Sequence, residues 1–335
     1  MPTALQRSGL ALAGAVALAA CLISHLAPGV SALLIAIILG VGARNLGLLP
    51  RASEPGLGYA SRVPLRLGIV LLGLQLSLPE LFAHGWGLPL LAVIVVGVGI
   101  VGTLGLGRLL GVERKQALLV ACGFSICGAA AVAGVESSVD AREKETVTAV
   151  ALVVLFGTLM IPLIPGLGAL LGLSTEQTAL WAGASVHEVG QVVAIGGLLG
   201  GGALGLAVSM KLARVLLLAP VAAVLGARSR ALAPESGPER GPEHGASGKR
   251  SPVVPLFLVG FILAAVLRSI LPVPHEALAL ASLLQEFLLA TAMFALGAGV
   301  HLKTLLSGSG KLLTLAAGST ALVALLGLGG ALIIA

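Results

Sequence analysis

Charge is scarce in this sequence: Asp, Glu, Lys and Arg together make up 10% of its 335 residues, against roughly a quarter in an ordinary soluble domain. Aromatic residues are 3% of the chain, and there are three cysteines. So few charges cannot cover a soluble fold of this length, and the composition excludes a nucleic-acid partner. Cys21, Cys122 and Cys127 all fall in apolar runs, so no disulfide framework is expected. Signatures of cofactor chemistry are missing as well. Gly97 to Gly102 fits G-x-G-x-x-G but lies inside an apolar run with no strand before it. His187-Glu188-Val189-Gly190-Gln191 begins like a zinc-protease helix and then has Gln where the second His is required. No phosphate-binding G-x-x-x-x-G-K-[ST] loop occurs. We therefore expect no metal, no cofactor and no enzyme, because no nucleophile, base and orienting group fall together.

What is present is apolar length. Hydrophobic residues are 57%, glycines number 47, and the mean hydropathy is +1.08. A membrane-crossing helix needs roughly 20 mostly apolar residues. Eleven such runs can be marked at 9–27, 29–43, 63–79, 86–107, 116–135, 147–171, 178–199, 203–226, 253–271, 278–300 and 311–333. They are continuous rather than alternating, which predicts an all-α polytopic membrane protein and not a barrel. Residues 1–226 form a first block of eight helices and 252–335 a second block of three, together one integral membrane unit. Between them, 227–251 is rich in Pro, Gly and Glu and reads as a flexible cytoplasmic linker.

Positive charge accumulates in short cytoplasmic loops. With the N-terminus inside, Arg44, Arg62, Arg108, Arg114, Lys115, Arg228 and Lys311 all fall on the inner side, leaving only Arg142 and Lys144 in outer loops. Arg7 followed by an apolar run ending at Cys21 also resembles a lipoprotein cleavage box. The run continues to Leu26, which favours a first transmembrane helix. Trp86 and Trp181 lie near run ends, as interfacial anchors do.

Ionisable residues within hydrocarbon are site candidates by default. Lys211 and Arg214, three apart, place two cations on one face of the eighth helix near mid-depth. The seventh helix carries His187, Glu188 and Gln191 at similar depth, with His187 and Gln191 sharing a face, and Glu286 is the other deep carboxylate. Two cations thus face two anions. In the fifth run, Gly123, Ser125 and Gly128 mark a place where a helix can break and offer backbone N–H groups. One span plus two inverted units of five is the natural division of eleven. Aligning 117–134 with 179–196 matches only Ala117, Leu118, Gly128 and Gly134, and eleven full crossings would run those two helices in the same direction.

The stretches CGFSICGAAAVAGVES (122–137), AGASVHEVGQVVAIG (182–196) and KLARVLLLAP (211–220), together with LGLQLSL (72–78), resemble the YeiH-type sulfate-exporter family over nearly the whole chain. That resemblance implies a bacterial or archaeal inner-membrane protein related to cation/proton antiporters and bile-acid-type transporters, with a panel and a core of broken, crossing helices.

The expectation is a secondary transporter that exports or exchanges a small, sulfate-like anion by alternating access. Lys211, Arg214, Ser125, Gly128 and Gln191 would bind the anion, and His187, Glu188 or Glu286 would carry a coupling H⁺ or Na⁺. The alternatives are a cation antiporter using the carboxylates and a passive anion channel lined by the cations. The other partner is the lipid bilayer, and a homo-oligomer is compatible with the sequence.

Overall fold

The computed structural model describes residues 4–26, 31–83, 85–200, 202–232, 256–301, 303 and 310–335, and is all-helical, with no strand among them. Most of the expected linker, from 233 onward, lies outside the described residues; its first part, to Leu232, is helical. Among the described residues, six helices are long and apolar enough to cross a membrane. These are α1 (Ala4–Leu26), α6 (Gly87–Leu109), α9 (Glu143–Leu170), the nearly continuous α12 (Ala203–Leu216) and α13 (Leu218–Leu232), α15 (His275–Ala298) and α16 (Gly310–Ile334). Shorter elements fill the bundle: α2 (Ala32–Asn45), α3 (Glu54–Ala60), α4 (Val63–Gly73), α5 (Leu78–Ala83) and α14 (Leu256–Ile270).

Small residues set the helix spacing. Gly40 of α2 lies against the backbone of Phe294 on α15, and Gly73 of α4 against the Phe261 carbonyl on α14. In each case a Cβ would fall within 2.3 Å of a backbone oxygen, so these pairs pack backbone to backbone as membrane helices do. α6 and α16 are antiparallel: Gly87 meets Ile334 at one end, and Gly107 meets Leu315 at the other.

The two runs expected to cross at 116–135 and 178–199 do not cross. Each breaks and folds back as a hairpin. α7 (Arg114–Ser125) and α8 (Ala129–Val135) are separated by a short turn. Lys115 Nζ donates to the Asp140 carbonyl at 2.8 Å, and Arg142 pairs with Glu113 at 3.7 Å. A straight helix would hold residues 115 and 140 about 37 Å apart. Gly123 of α7 lies against Val132 of α8, as antiparallel arms require. Arg142 and Lys144 therefore share the face that carries Arg108, Arg114 and Lys115, which corrects their expected place in an outer loop.

The second hairpin enters from the other face. α9, with 28 residues, carries the chain across, and Gly168 near its end meets Thr178 in the first turn of α10 (Thr175–Ser185). After the break, α11 (Val189–Leu199) returns to that same face, where Gly196 packs on Leu204 at the start of α12. From there α12 and α13 run back about 36 Å to Arg228, which lines one cavity with Arg108 and Arg114. The broken helices are thus two opposed re-entrant hairpins that meet at their tips, and α7 and α10 run toward each other rather than in the same direction.

Candidate functional site

The hairpin tips expose the groups that a continuous helix would satisfy internally. Each helix end leaves carbonyls or N–H groups unpaired, and at membrane depth no water replaces the missing partners. α12 supplies them. Lys211 Nζ donates to Ile126 O at 2.9 Å and Val186 O at 2.6 Å, one carbonyl from each tip. Arg214 donates through Nε to Ser125 O at 3.0 Å, through Nη2 to Phe124 O at 2.9 Å, and through Nη1 to Val186 O at 3.0 Å and Gly183 O at 3.2 Å. Both cations are fully buried. They sit where the negative ends of the α7 and α10 dipoles converge, so charge and hydrogen bonding act together.

Glu188 serves the opposite polarity. Its Oε1 accepts the Ala129 N–H at 3.1 Å, capping α8, while its own N–H donates to Gln191 Oε1 at 3.0 Å at the start of α11. Glu188, Gln191 and Gly128 therefore meet at the junction. Gly128 has φ +77° and ψ −134°, and a Cβ there would lie 2.5 Å from Glu188 Cγ. Only glycine fits that backbone with the carboxylate so near. The α10–α11 break uses no glycine: Val186 and Glu188 are extended, with ψ of 147° and 152°.

His187 also joins the tips. Nδ1 lies 3.3 Å from Phe124 O, and Nε2 lies 3.1 Å from Thr320 Oγ1 on α16. A carbonyl only accepts, so Nδ1 carries hydrogen. The Thr320 hydroxyl is also 2.9 Å from Ala316 O. If that hydroxyl donates to Ala316, Nε2 must donate as well and the ring is an imidazolium; if it turns to donate to Nε2, the ring is neutral. The two states differ by one proton on Nε2 and by the rotation of this hydroxyl.

Ser125 Oγ is buried and makes no hydrogen bond to the protein. Such a group costs about 1–3 kcal/mol when nothing satisfies it.

Seven of the eight candidate residues, Lys211, Arg214, Ser125, Gly128, Gln191, His187 and Glu188, thus converge on the tips. Glu286 does not. It lines a separate cavity of about 300 Å³ with Ser24, Ser31, Gln75, Gln285 and one side of α11. The balance at the tips is therefore two cations against one carboxylate, not against two. His187 and Gln191 also share no helix face, because the helix is interrupted between them. Trp181 is another correction: it is 3% exposed and donates to Ala324 O at 2.8 Å, so it is a core residue. Trp86 is 76% exposed. Thr320 was missed, although a Gly-Ser-Thr stretch inside the last apolar run was its available signal.

Comparison with known proteins finds relatives that are membrane proteins of bacteria. A UPF0324 membrane protein of Corynebacterium glutamicum is 52% identical over 97% of this chain and 92% of its own length. One from Pseudomonas aeruginosa is 39% identical over 86% and 82%, and one from Lactobacillus johnsonii 38% over 86% and 84%. No solved structure matches the chain. With the model of the family described as conserved hypothetical protein 698 matching residues 8–316, this chain belongs to that family of membrane proteins.

Proposed function

We propose that this protein is a secondary transporter that exports or exchanges a small anion across the bacterial inner membrane by alternating access. One observation carries the reading: a membrane-buried cluster of Lys211, Arg214 and Glu188, at the meeting of two opposed hairpins, has a formal excess of one positive charge. An anion balances that excess better than any other ligand. Lys211 has used two of its three N–H groups and Arg214 four of its five, so each retains one. Ser125 adds an unengaged hydroxyl. In this reading the cations hold the scaffold as well as the substrate, and the His187–Thr320 contact carries a coupling proton.

Internal symmetry supports alternation. Shifting the sequence by 60 residues superposes the two breaks and pairs Gly123 with Gly183, Ser125 with Ser185 and Val132 with Val192. The carbonyls that Lys211 holds, Ile126 and Val186, are related by the same shift. Each hairpin also flanks a cavity opening toward its own face. Val189 and Val193 line the one of about 300 Å³; their counterparts Ala129 and Ala133 line one of about 50 Å³ beside Arg62 and Arg66. Two cavities of unequal size at related positions of the hairpins fit a molecule that opens to one face at a time. In this reading the crossing helix α6 with the first hairpin and α9 with the second are related as a short inverted pair. The arginine-bearing face is cytoplasmic by the positive-inside rule, and the resemblance to YeiH-type sulfate exporters favours sulfate or a related oxyanion.

The test is counterflow in proteoliposomes with labelled sulfate, sulfite, small sulfonates and carboxylates. Saturable, trans-stimulated flux of one of these is expected. Flux far above about 10³ per second, the upper range of ordinary turnover, would make the protein a pore, and Na⁺ flux without anion flux would make it a cation antiporter. Ser125→Ala removes a buried hydroxyl that has no protein partner, so it should leave the ligand-free protein more stable than wild type while weakening stabilisation by the transported anion.

A further inference from the structure

A cavity lies away from the hairpin tips. It measures about 840 Å³ and opens at the arginine-bearing face between α6 and α13, with α7 as its floor. Its mouth carries Arg108, Arg114, Lys115 and Arg228. Lys115 is engaged by Asp140, at 3.3 Å from its carboxylate. Among the described residues, the three arginines have no carboxylate partner. Below the mouth the walls are apolar, formed by Ile100 and Leu104 on α6 and by Val221, Val224 and Leu225 on α13. From Arg108 to Ile100 the cleft descends about 12 Å along the helix axis. Its side is open: Val101 is 71% exposed and Val224 53%.

We infer that this cleft binds one anionic phospholipid, with the phosphate among Arg108, Arg114 and Arg228 and an acyl chain between α6 and α13. A small hydrated anion would satisfy the mouth but not a deep apolar cleft, and a neutral lipid would leave the arginines unmatched. Only a molecule with both parts complements the whole cavity, and basic pockets between membrane helices at the cytoplasmic side recognise anionic headgroups in this way. The site touches moving parts of the proposed transport cycle, because Ala117 and Leu118 of α7, and Ser138 and Asp140 after α8, line it too. A bound lipid wedges the first hairpin against α6 and α13. Occupancy would then bias the hairpin position, which makes the lipid a regulator and not a substrate.

The experiment uses the full chain in detergent, titrated with phosphatidylglycerol or with phosphatidylcholine of the same acyl composition, and reads the apparent melting temperature. Phosphatidylglycerol should raise it saturably and phosphatidylcholine should not. The double variant Arg108→Gln with Arg228→Gln should lose at least half of that rise. Leu104→Trp, which fills the cleft and leaves the arginines intact, should lose it too. An undiminished rise in both variants overturns the site. An equal rise with glycerol phosphate or inorganic phosphate alone overturns the lipid assignment in favour of a soluble anion at the mouth. Because the readout is binding to the resting protein, failure here leaves the transport reading standing, and failure of transport leaves this site standing.

Discussion

Gly128→Ala isolates the geometry of the first hairpin in a single methyl group. The native backbone there, φ +77° and ψ −134°, is open to glycine and strained for alanine, at about 1–3 kcal/mol. The added Cβ would also sit 2.5 Å from Glu188 Cγ and 2.9 Å from Oε1, so the carboxylate must move away from the Ala129 N–H that it accepts at 3.1 Å. A hydrogen bond to a charged group is worth about 1.5–3 kcal/mol. Restricting the unfolded chain returns about 0.4–1 kcal/mol, leaving a net loss of about 2–5 kcal/mol. Gly97→Ala is the control. It lies within α6 with nothing inside 4 Å of its added Cβ, and alanine is the better helix former by about 0.8–1 kcal/mol. Heating the detergent-solubilised protein and following the monodisperse fraction should show Gly128→Ala melting about 4–10 °C below wild type and Gly97→Ala slightly above it, at roughly 2 °C per kcal/mol for a chain of this size. A Gly128→Ala protein as stable as wild type would refute the fold-back turn and the Glu188 cap together.

The hairpin topology also predicts labelling. On a background lacking Cys21, Cys122 and Cys127, single cysteines at Arg114 and Lys144 should react with an impermeant maleimide from one side of the membrane, and those at Glu176 and Gly200 from the other. Straight crossings would split each pair. Glu188→Gln keeps an oxygen for the Ala129 N–H and removes the negative charge, so the protein should fold as wild type while its anion affinity and the pH dependence of its flux change; unchanged flux and affinity would remove Glu188 from the mechanism. Trp181→Phe forfeits the indole bond to the Ala324 carbonyl and should lower stability by about 1 kcal/mol, read as a fall in melting temperature without loss of monodispersity.

Much of the bundle is written plainly in the sequence. The ends of α6, α9, α15 and α16 lie within a few residues of the apolar runs that predict them, because a continuous run in lipid has little alternative to a helix. Direction is not written in the same way. Residues 116–135 are long enough to cross, but hydropathy measures length and is blind to a fold-back at Ile126–Gly128. The charge pattern did hold a signal: Arg142 and Lys144 were the exceptions to an otherwise one-sided distribution, and the hairpin brings both to the side of the rest. The second break was harder to see. Ser185, His187, Glu188 and Gln191 read as a polar stripe on a helix, whereas Glu188 and Gln191, three apart, form a helix start in the middle of the run. Mid-depth cations likewise predict a site without revealing that most of their donors are already committed to carbonyls.

The position of Lys211 has a mechanical consequence. A single ammonium holds the Ile126 carbonyl of one hairpin and the Val186 carbonyl of the other, so it works as a pin through two levers. Neither tip can swing away without dragging or releasing its counterpart. In the proposed transport cycle this joint, shared with Arg214, would make the two hairpins open by turns, and a leak through both at once would require it to let go.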